Sequence, residues 1–206
     1  MPFRTLESAL ASHVITQLRD TATDHTAYRT LTRILTSLLV AEATKSLPTT
    51  PKQITTPLEI MEGAEFAYPF VAVPILRAGL GMLDAVQEML PQTRVGYIGL
   101  QRDEETAIAH TYYCKLPSLA GTTVLLLDPM LATGGSAAYA IEEIQKHKPV
   151  KILLLCAVAA PEGVQYLTEK FPDVEIFAGA LDRELNTKKY ICPGLGDFGD
   201  RLFGTT

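Results

Sequence analysis

A short apolar run, an acidic residue and a glycine-rich turn follow one another in residues 126–136, which read LLDPMLATGGS. The apolar run ends at Asp128, and residues 133–136 lead into a helical pattern. Backbone N–H groups at the start of a helix can bind an anion, and small residues let a phosphate approach closely. The carboxylate could accept hydrogen bonds from a vicinal diol such as that of ribose. Thr-Gly-Gly-Ser alone would fit an ordinary loop, and the lysine of a Walker loop is missing. Acid, loop and glycines in this order predict a phosphate-binding cup.

The chain around this cup alternates between short apolar runs and helical segments. Five runs are almost continuously apolar, as expected for parallel strands buried on both faces: residues 70–73, 95–98, 123–127, 152–155 and 174–177. Helical patterns lie between them at residues 81–90, 135–148 and 161–171. This alternation predicts an α/β fold with an open, doubly wound, mainly parallel sheet of about five strands. Ligands of such sheets bind at the carboxyl ends of the strands, which is where the cup falls.

The two flanks of this core have a different character. Residues 1–45 carry apolar side chains at helical spacing, for example at Tyr28, Leu31 and Leu35, and residues 46–51, SLPTTP, predict a loop. After residue 182 the chain becomes rich in glycine and proline. We therefore predict a single domain over residues 1–206. It would comprise an N-terminal helical segment at 1–68, an α/β core at 69–181 and a C-terminal loop or hood at 182–206.

Composition excludes several classes of protein. The 206 residues carry a net charge of −5, which argues against a general nucleic-acid or membrane-surface binder. The longest apolar run, residues 152–161, is too short to cross a bilayer. Three cysteines, Cys114, Cys156 and Cys192, are widely spaced and predict neither a disulfide framework nor a zinc site. A reducing cytoplasm is the simplest location for such a chain.

Several blocks together resemble one known family. Residues 126–136 resemble the motif with which type I phosphoribosyltransferases bind 5-phosphoribosyl-1-pyrophosphate (PRPP), and Pro129 replaces the second acid of the wider family, as in its uracil phosphoribosyltransferase branch. Four similar blocks lie elsewhere in the chain: residues 74–80, PILRAGL; 102–106, RDEET; 112–117, YYCKLP; and 190–201, YICPGLGDFGDR. Weaker similarities lie at residues 18–20, 28–29 and 56–58. The resemblance covers nearly the whole chain, and its least similar part is the extreme N-terminus.

The resemblance implies an enzyme, a pentosyltransferase that makes UMP and pyrophosphate from uracil and PRPP in pyrimidine salvage. It implies catalytic roles for Asp128, Arg102 and Asp197. The residues implied to bind PRPP are Arg77, Arg102, Asp128, Pro129, Met130, Leu131, Ala132, Thr133, Gly134, Gly135, Ser136 and Asp197. Those implied to bind uracil are Ile191, Gly196, Asp197 and Phe198.

The resemblance also bears on cofactors and partners. It implies Mg²⁺ carried by PRPP and water, with no direct protein ligand, and a segment of about residues 103–116 that closes over the site. It further implies a homodimer or higher homo-oligomer and GTP as a candidate effector. Nucleic acid and membrane are not expected partners.

The sequence leaves three alternative functions open. The first is a phosphoribosyltransferase for another base, against which the loop at 190–201 argues. The second is an RNA-binding regulator of a pyrimidine operon on the same fold, which would need a basic face that this acidic chain does not suggest. The third is a PRPP-binding module without catalysis, and the presence of Arg77, Asp128 and Asp197 argues against it.

Overall fold

The computed structural model describes residues 3–102 and 109–205. Its helices are α1 Ala9–Arg19, α2 His25–Thr44, α3 Leu80–Met89, α4 Gly135–Gln145, α5 Pro161–Lys170 and α6 Phe198–Phe203. Its strands are β1 Phe3–Thr5, β2 Thr49–Thr55, β3 Ile60–Phe66, β4 Phe70–Leu76, β5 Arg94–Val95, β6 Tyr97–Arg102, β7 Ala109–Lys115, β8 Thr123–Leu127, β9 Met130–Leu131, β10 Lys151–Ala159, β11 Glu175–Leu181, β12 Glu184–Leu185 and β13 Ile191–Cys192. Helices and strands alternate through the core, as the sequence predicts.

The main sheet has the order β1-β11-β10-β8-β4-β6-β7, with β5 beside β4 and β9 beside β10. Neighbouring strands are parallel except β6 and β7, which form an antiparallel hairpin. The α/β prediction is confirmed, since all five apolar runs form strands of this sheet. The described residues contribute nine strands to this sheet rather than about five. The four additional strands are β1, β5 and β9, of two or three residues each, and the antiparallel β7.

Helices cover both faces of the sheet, so its central strands are apolar on both sides. In β8, Leu125 and Leu127 pack into a core with α1, α2 and α3, while Val124 and Leu126 pack into a second core with α4 and α5. All four side chains are fully buried. Full burial of such a side chain contributes about 1.5–3 kcal/mol, so the central strands anchor the loops that follow them.

The predicted N-terminal helical segment, residues 1–68, contains the helices α1 and α2, but three stretches of its described residues form strands instead. Residues 3–5 add a strand to the edge of the main sheet, paired with β11. Residues 49–66 form a separate two-stranded antiparallel hairpin of β2 and β3, which begins inside the predicted loop. Its residues are almost all exposed, so it lacks the alternation of buried and exposed positions that would reveal a strand.

Two helices begin at a proline or directly after a glycine, as the sequence suggests. Pro161 is the first residue of α5, where its missing N–H costs nothing. Gly134 precedes α4 with φ of 83°, a left-handed conformation that favours glycine. Within residues 3–102 and 109–205, no helix is both long and apolar enough to cross a membrane.

Candidate active site

A cleft of about 430 Å³ opens at the carboxyl end of the sheet. Four parts of the chain line it: residues 75–78 at the end of β4, Leu100 in β6, residues from the loop 128–136 after β8, and residues from the C-terminal stretch 188–199. In the sheet, Pro74 pairs with Leu127, and Leu127 pairs with Leu155, so the ends of β4 and β8 lie side by side. This pairing brings segments that are distant in sequence to one site.

Asp128 stands directly at the end of β8 and lines the cleft. Its N–H donates to the carbonyl of Leu155 at 3.2 Å, and its Oδ1 accepts a bond of 3.4 Å from the N–H of Met130. Cys156 is buried nearby on β10, and its burial, followed by the charge of Asp128, raises the pKa of its thiol. The acid is thus fixed to the backbone at the ligand edge of the sheet, with a neutral thiol nearby.

The predicted phosphate cup lies at the N-terminus of α4. The first bond of α4 runs from the N–H of Ala138 to the carbonyl of Gly134 at 2.8 Å, so the N–H groups of residues 135–137 precede the helical ladder. A Cβ on Gly135 would meet only the Thr133 hydroxyl, at 3.8 Å. On the other side, a Cβ on Gly163 would lie 2.3 Å from the carbonyl of Ala132, so α5 packs tightly under the cup. The cup therefore has open space beside Gly135 and is closely packed against α5.

Arg77 follows β4 and reaches the same cleft. The turn after it is compact: the N–H of Gly79 donates to Ile75 at 2.9 Å, and a Cβ on Gly79 would lie 2.4 Å from the carbonyl of Leu127. The absence of a side chain at Gly79 therefore lets this turn pack against the end of β8. The guanidinium group is largely exposed and lies 3.6 Å from the carboxylate of Asp200.

The C-terminal stretch closes the other side of the cleft. Ile191 is buried and lines the cleft beside Gly196, whose φ is 78°. Asp197 lines the cleft as well, and it caps α6 because its Oδ1 accepts a bond of 2.9 Å from the N–H of Asp200. The ring of Phe198 is buried edge-on against Tyr28, with 5.2 Å between ring centroids. Phe198 therefore holds this stretch to α2 with its side chain.

The structure brings most of the predicted residues to one cleft. Those that line it are Arg77, Asp128, Met130, Ala132, Ser136, Ile191, Gly196, Asp197 and Phe198. Pro129 and Leu131 are buried beneath the loop instead, and the Pro129 carbonyl accepts bonds from Ala157 and Val158 of β10. Arg102 ends β6, with its side chain outside the described part of the protein. Of the predicted closing segment, residues 103–108 lie outside the described residues.

Sequence reasoning missed a basic rim on this cleft. Lys188, Lys189 and Tyr190 line it from the turn between β12 and β13. The signal was present, because two adjacent lysines stand directly before the block at 190–201. Their position could be known only once that turn was placed against the end of the sheet.

The architecture is shared with solved phosphoribosyltransferases. A hypoxanthine phosphoribosyltransferase from Trypanosoma cruzi superposes with a TM-score of 0.51 at 13% identity, covering 85% of this chain and 76% of that one. Identity this low shows the fold alone. The structure of the AQ2163 protein from Aquifex aeolicus superposes with a TM-score of 0.95 at 41% identity, covering 99% of both chains.

Sequence comparison identifies the family of phosphoribosyltransferases to which the chain belongs. The model of the uracil phosphoribosyltransferase family matches residues 5–205, and the chain belongs to that family. The uracil phosphoribosyltransferase of Malacoplasma penetrans is 47% identical, with 93% of both chains covered. That of Levilactobacillus brevis is 46% identical, with 98% of both chains covered. The predicted family, and with it a transferase of the pentosyltransferase class, is confirmed.

Proposed function

We propose that this cleft transfers the phosphoribosyl group of PRPP to N1 of uracil, giving UMP and pyrophosphate. One observation carries the proposal: Arg77, Asp128 and Ser136 of the phosphate cup line a single cleft that residues from the stretch 188–199 close. Family membership supports uracil as the base. In this proposal, each group would bind the part of the substrates that its chemistry fits.

The cup at residues 133–136 would hold the 5′-phosphate of PRPP through the N–H groups that precede the α4 ladder and through the hydroxyls of Thr133 and Ser136. Asp128 would accept hydrogen bonds from the ribose 2′- and 3′-hydroxyls. Arg77 and Arg102 would hold pyrophosphate, because the planar guanidinium matches its oxygens. Lys188 and Lys189 add positive charge at the rim of the cleft.

The reaction needs positioning and charge more than a protein nucleophile. The bond from C1′ to pyrophosphate breaks as the bond from uracil N1 to C1′ forms, and the N1 proton is released. Positive charge develops on the ribose, and Asp128 would stabilise it from the end of β8. Ile191 and residues 196–198 would hold uracil, with backbone groups serving its oxygens and N3–H. Asp197 would act where the base and PRPP meet.

The donors in the cleft suit a Mg²⁺ ion that arrives with its substrate. Asp128 and Asp197 supply carboxylate oxygens, and the described residues contain no cluster of three His, Cys, Asp or Glu side chains that would hold an ion by themselves. When bound to PRPP, Mg²⁺ would neutralise the charge of the departing pyrophosphate. The protein side chains would reach it through water.

We also propose a homodimer or higher homo-oligomer. The hairpin of β2 and β3 exposes apolar side chains that a second copy of the chain would cover: Ile54, Leu58, Ile60 and Met61. Analytical ultracentrifugation of the native protein and of Ile60→Lys tests this, because a lost contact would shift the variant towards monomer. A monomeric native protein would refute it.

Three further features belong to the same proposal. Residues 103–116 would close over the bound substrates and exclude water, as the activated ribose would otherwise hydrolyse. GTP is a candidate activator, and a titration of GTP into the assay tests that role. A reducing cytoplasm is the proposed location, since Cys114, Cys156 and Cys192 are all free.

An assay with each nucleobase tests the reaction itself. Purified protein, PRPP and Mg²⁺ should release pyrophosphate with uracil, and chelation of Mg²⁺ should stop the release. Turnover of hypoxanthine, adenine or orotate without turnover of uracil would overturn the choice of base. A gel shift with pyrimidine-operon leader RNA separates the enzyme from an RNA-binding regulator, and we expect no shift.

A further inference from the structure

An ion pair outside the cleft grips the C-terminal stretch by its backbone. Arg19, the last residue of α1, pairs through both terminal nitrogens with the carboxylate of Asp182, which follows β11. The Nη1 of Arg19 also donates to the carbonyl of Gly194 at 2.6 Å. The N–H of Gly194 in turn donates to Oδ2 of Asp182 at 2.8 Å. Both polar groups of Gly194 are thus bound by one ion pair.

Burial strengthens these hydrogen bonds to Gly194, which together form the grip on the C-terminal stretch. The Asp182 side chain is 3% exposed, and Gly194 is buried, so these charge-assisted bonds are shielded from water. Gly194 has a φ of 64°, and a Cβ there would lie 2.2 Å from the carbonyl of Ile191. The chain therefore turns sharply at one glycine whose peptide orientation is set from outside the turn.

A second guanidinium anchors the next residue to the same end of α1. Arg201 donates to the carbonyl of Leu195 at 2.9 Å and to that of Asp20 at 2.6 Å, and it also bonds to the carbonyl of Leu18. Successive carbonyls of the C-terminal stretch are therefore tied to residues 18–20. Hydrogen bonds thus anchor residues 194 and 195 to the end of α1.

We propose that Arg19 and Asp182 are positioning residues for the base, a role that rests on the proposed function. They contact neither the cleft nor the phosphate cup, and they act through Gly194 on Ile191 and Gly196, which do line the cleft. The cup is held by separate bonds, such as those from Asp128 to Leu155 and from Ala160 to Leu131. Loss of the pair should therefore disturb uracil and spare PRPP.

Steady-state kinetics on Arg19→Met test this selectivity. We expect the KM for uracil to rise about tenfold or more, as for loss of hydrogen bonds to a charged group, while the KM for PRPP stays within about twofold. Arg19→Lys keeps the charge without the fork that serves Asp182 and Gly194 together, so its KM for uracil should be intermediate. Equal rises in both KM values, or an unchanged KM for uracil, would overturn the proposal.

Arg33→Met provides the matched control. Arg33 also forms an ion pair with an acid, Glu88, but that pair joins α2 to α3 on the surface. The control should leave both KM values unchanged. A rise in the KM for uracil in the control as large as that in Arg19→Met would show a general effect of losing an arginine pair and would refute the proposal.

Hydrogen exchange keeps the test independent of turnover. In Arg19→Met, amides of residues 191–197 should exchange faster, whereas those of β8 should exchange as in the native protein. Unchanged exchange at residues 191–197 would refute the grip itself. A native protein that does not use uracil would refute the proposed function, while the exchange result would still decide the grip.

Discussion

The carboxylate of Asp200 lies 3.6 Å from the guanidinium of Arg77, and this ion pair joins α6 to the turn after β4. The same carboxylate oxygen accepts a bond of 2.7 Å from the Thr205 hydroxyl. The pair is partly exposed, so it contributes little to stability. Under the proposed function, Arg77 exchanges Asp200 for pyrophosphate when PRPP binds.

Asp128→Asn should lower kcat far more than it weakens PRPP binding. The amide oxygen can still accept the bond from Met130 N–H, but the negative charge beside the developing cation disappears. Loss of such a transition-state contact costs about 2.7–4 kcal/mol, or roughly a hundredfold to a thousandfold in kcat. Stopped-flow or steady-state rates and PRPP calorimetry measure the two effects. A variant within a few-fold of native kcat would contradict the role given to Asp128.

Gly135→Val should abolish PRPP binding and leave the fold intact. The new side chain would enter open space beside Thr133, which is the space assigned to the phosphate. Calorimetry with PRPP and thermal melting measure the two properties.

Gly134→Ala is the contrasting control for that variant. At φ of 83° the new Cβ would be strained and would lie 3.0 Å from the Tyr166 ring, so this variant should lose stability of about 1 kcal/mol or more. Native PRPP affinity in Gly135→Val would place the phosphate elsewhere.

Asp197→Ala should be crippling, and Asp197→Asn should show why. Alanine removes both the charge and the cap of α6, a cap worth about 1 kcal/mol. Asparagine can keep the cap and removes only the charge, so its melting temperature should stay near native while its kcat falls. If Asp197→Asn had native kcat and only the alanine variant failed, Asp197 would be a cap and nothing more.

Cys192→Ala should be nearly neutral in kcat and in both KM values. The thiol makes one weak contact of 3.8 Å, to the carbonyl of Tyr190, and the backbone bond from Arg183 N–H to the Cys192 carbonyl survives the change. A covalent thiol step would need an activating base, and uracil N1 already supplies the attacking atom. An inactive Cys192→Ala that still binds both substrates would point to such a step.

The segment proposed to bind phosphate could be located in the sequence because it is local. Acid, loop and glycines lie within residues 126–136, and a buried strand and the start of a helix determine their positions. The strands were predictable for a related reason, as burial on both faces leaves an apolar run such as that of β8.

Contacts between distant segments left no such local trace. Arg19 and Asp182 are 163 residues apart, and each alone is an ordinary charged residue next to an apolar segment. The hairpin of β2 and β3 was missed for a different reason, since it packs little of either face inward and Pro51 lies within it. Such elements depend on pairing that the chain reveals only when it is folded.

The bond between Arg19 and the carbonyl of Gly194 joins residues 175 positions apart, which has a consequence for synthesis. At roughly 5–20 residues per second, Arg19 would be synthesised about 9–35 s before Gly194. The elements that pack against the proposed phosphate cup, β10 and α5, are made earlier, by residue 170. The C-terminal stretch that closes the cleft is therefore the last part of the proposed site that a nascent chain can form.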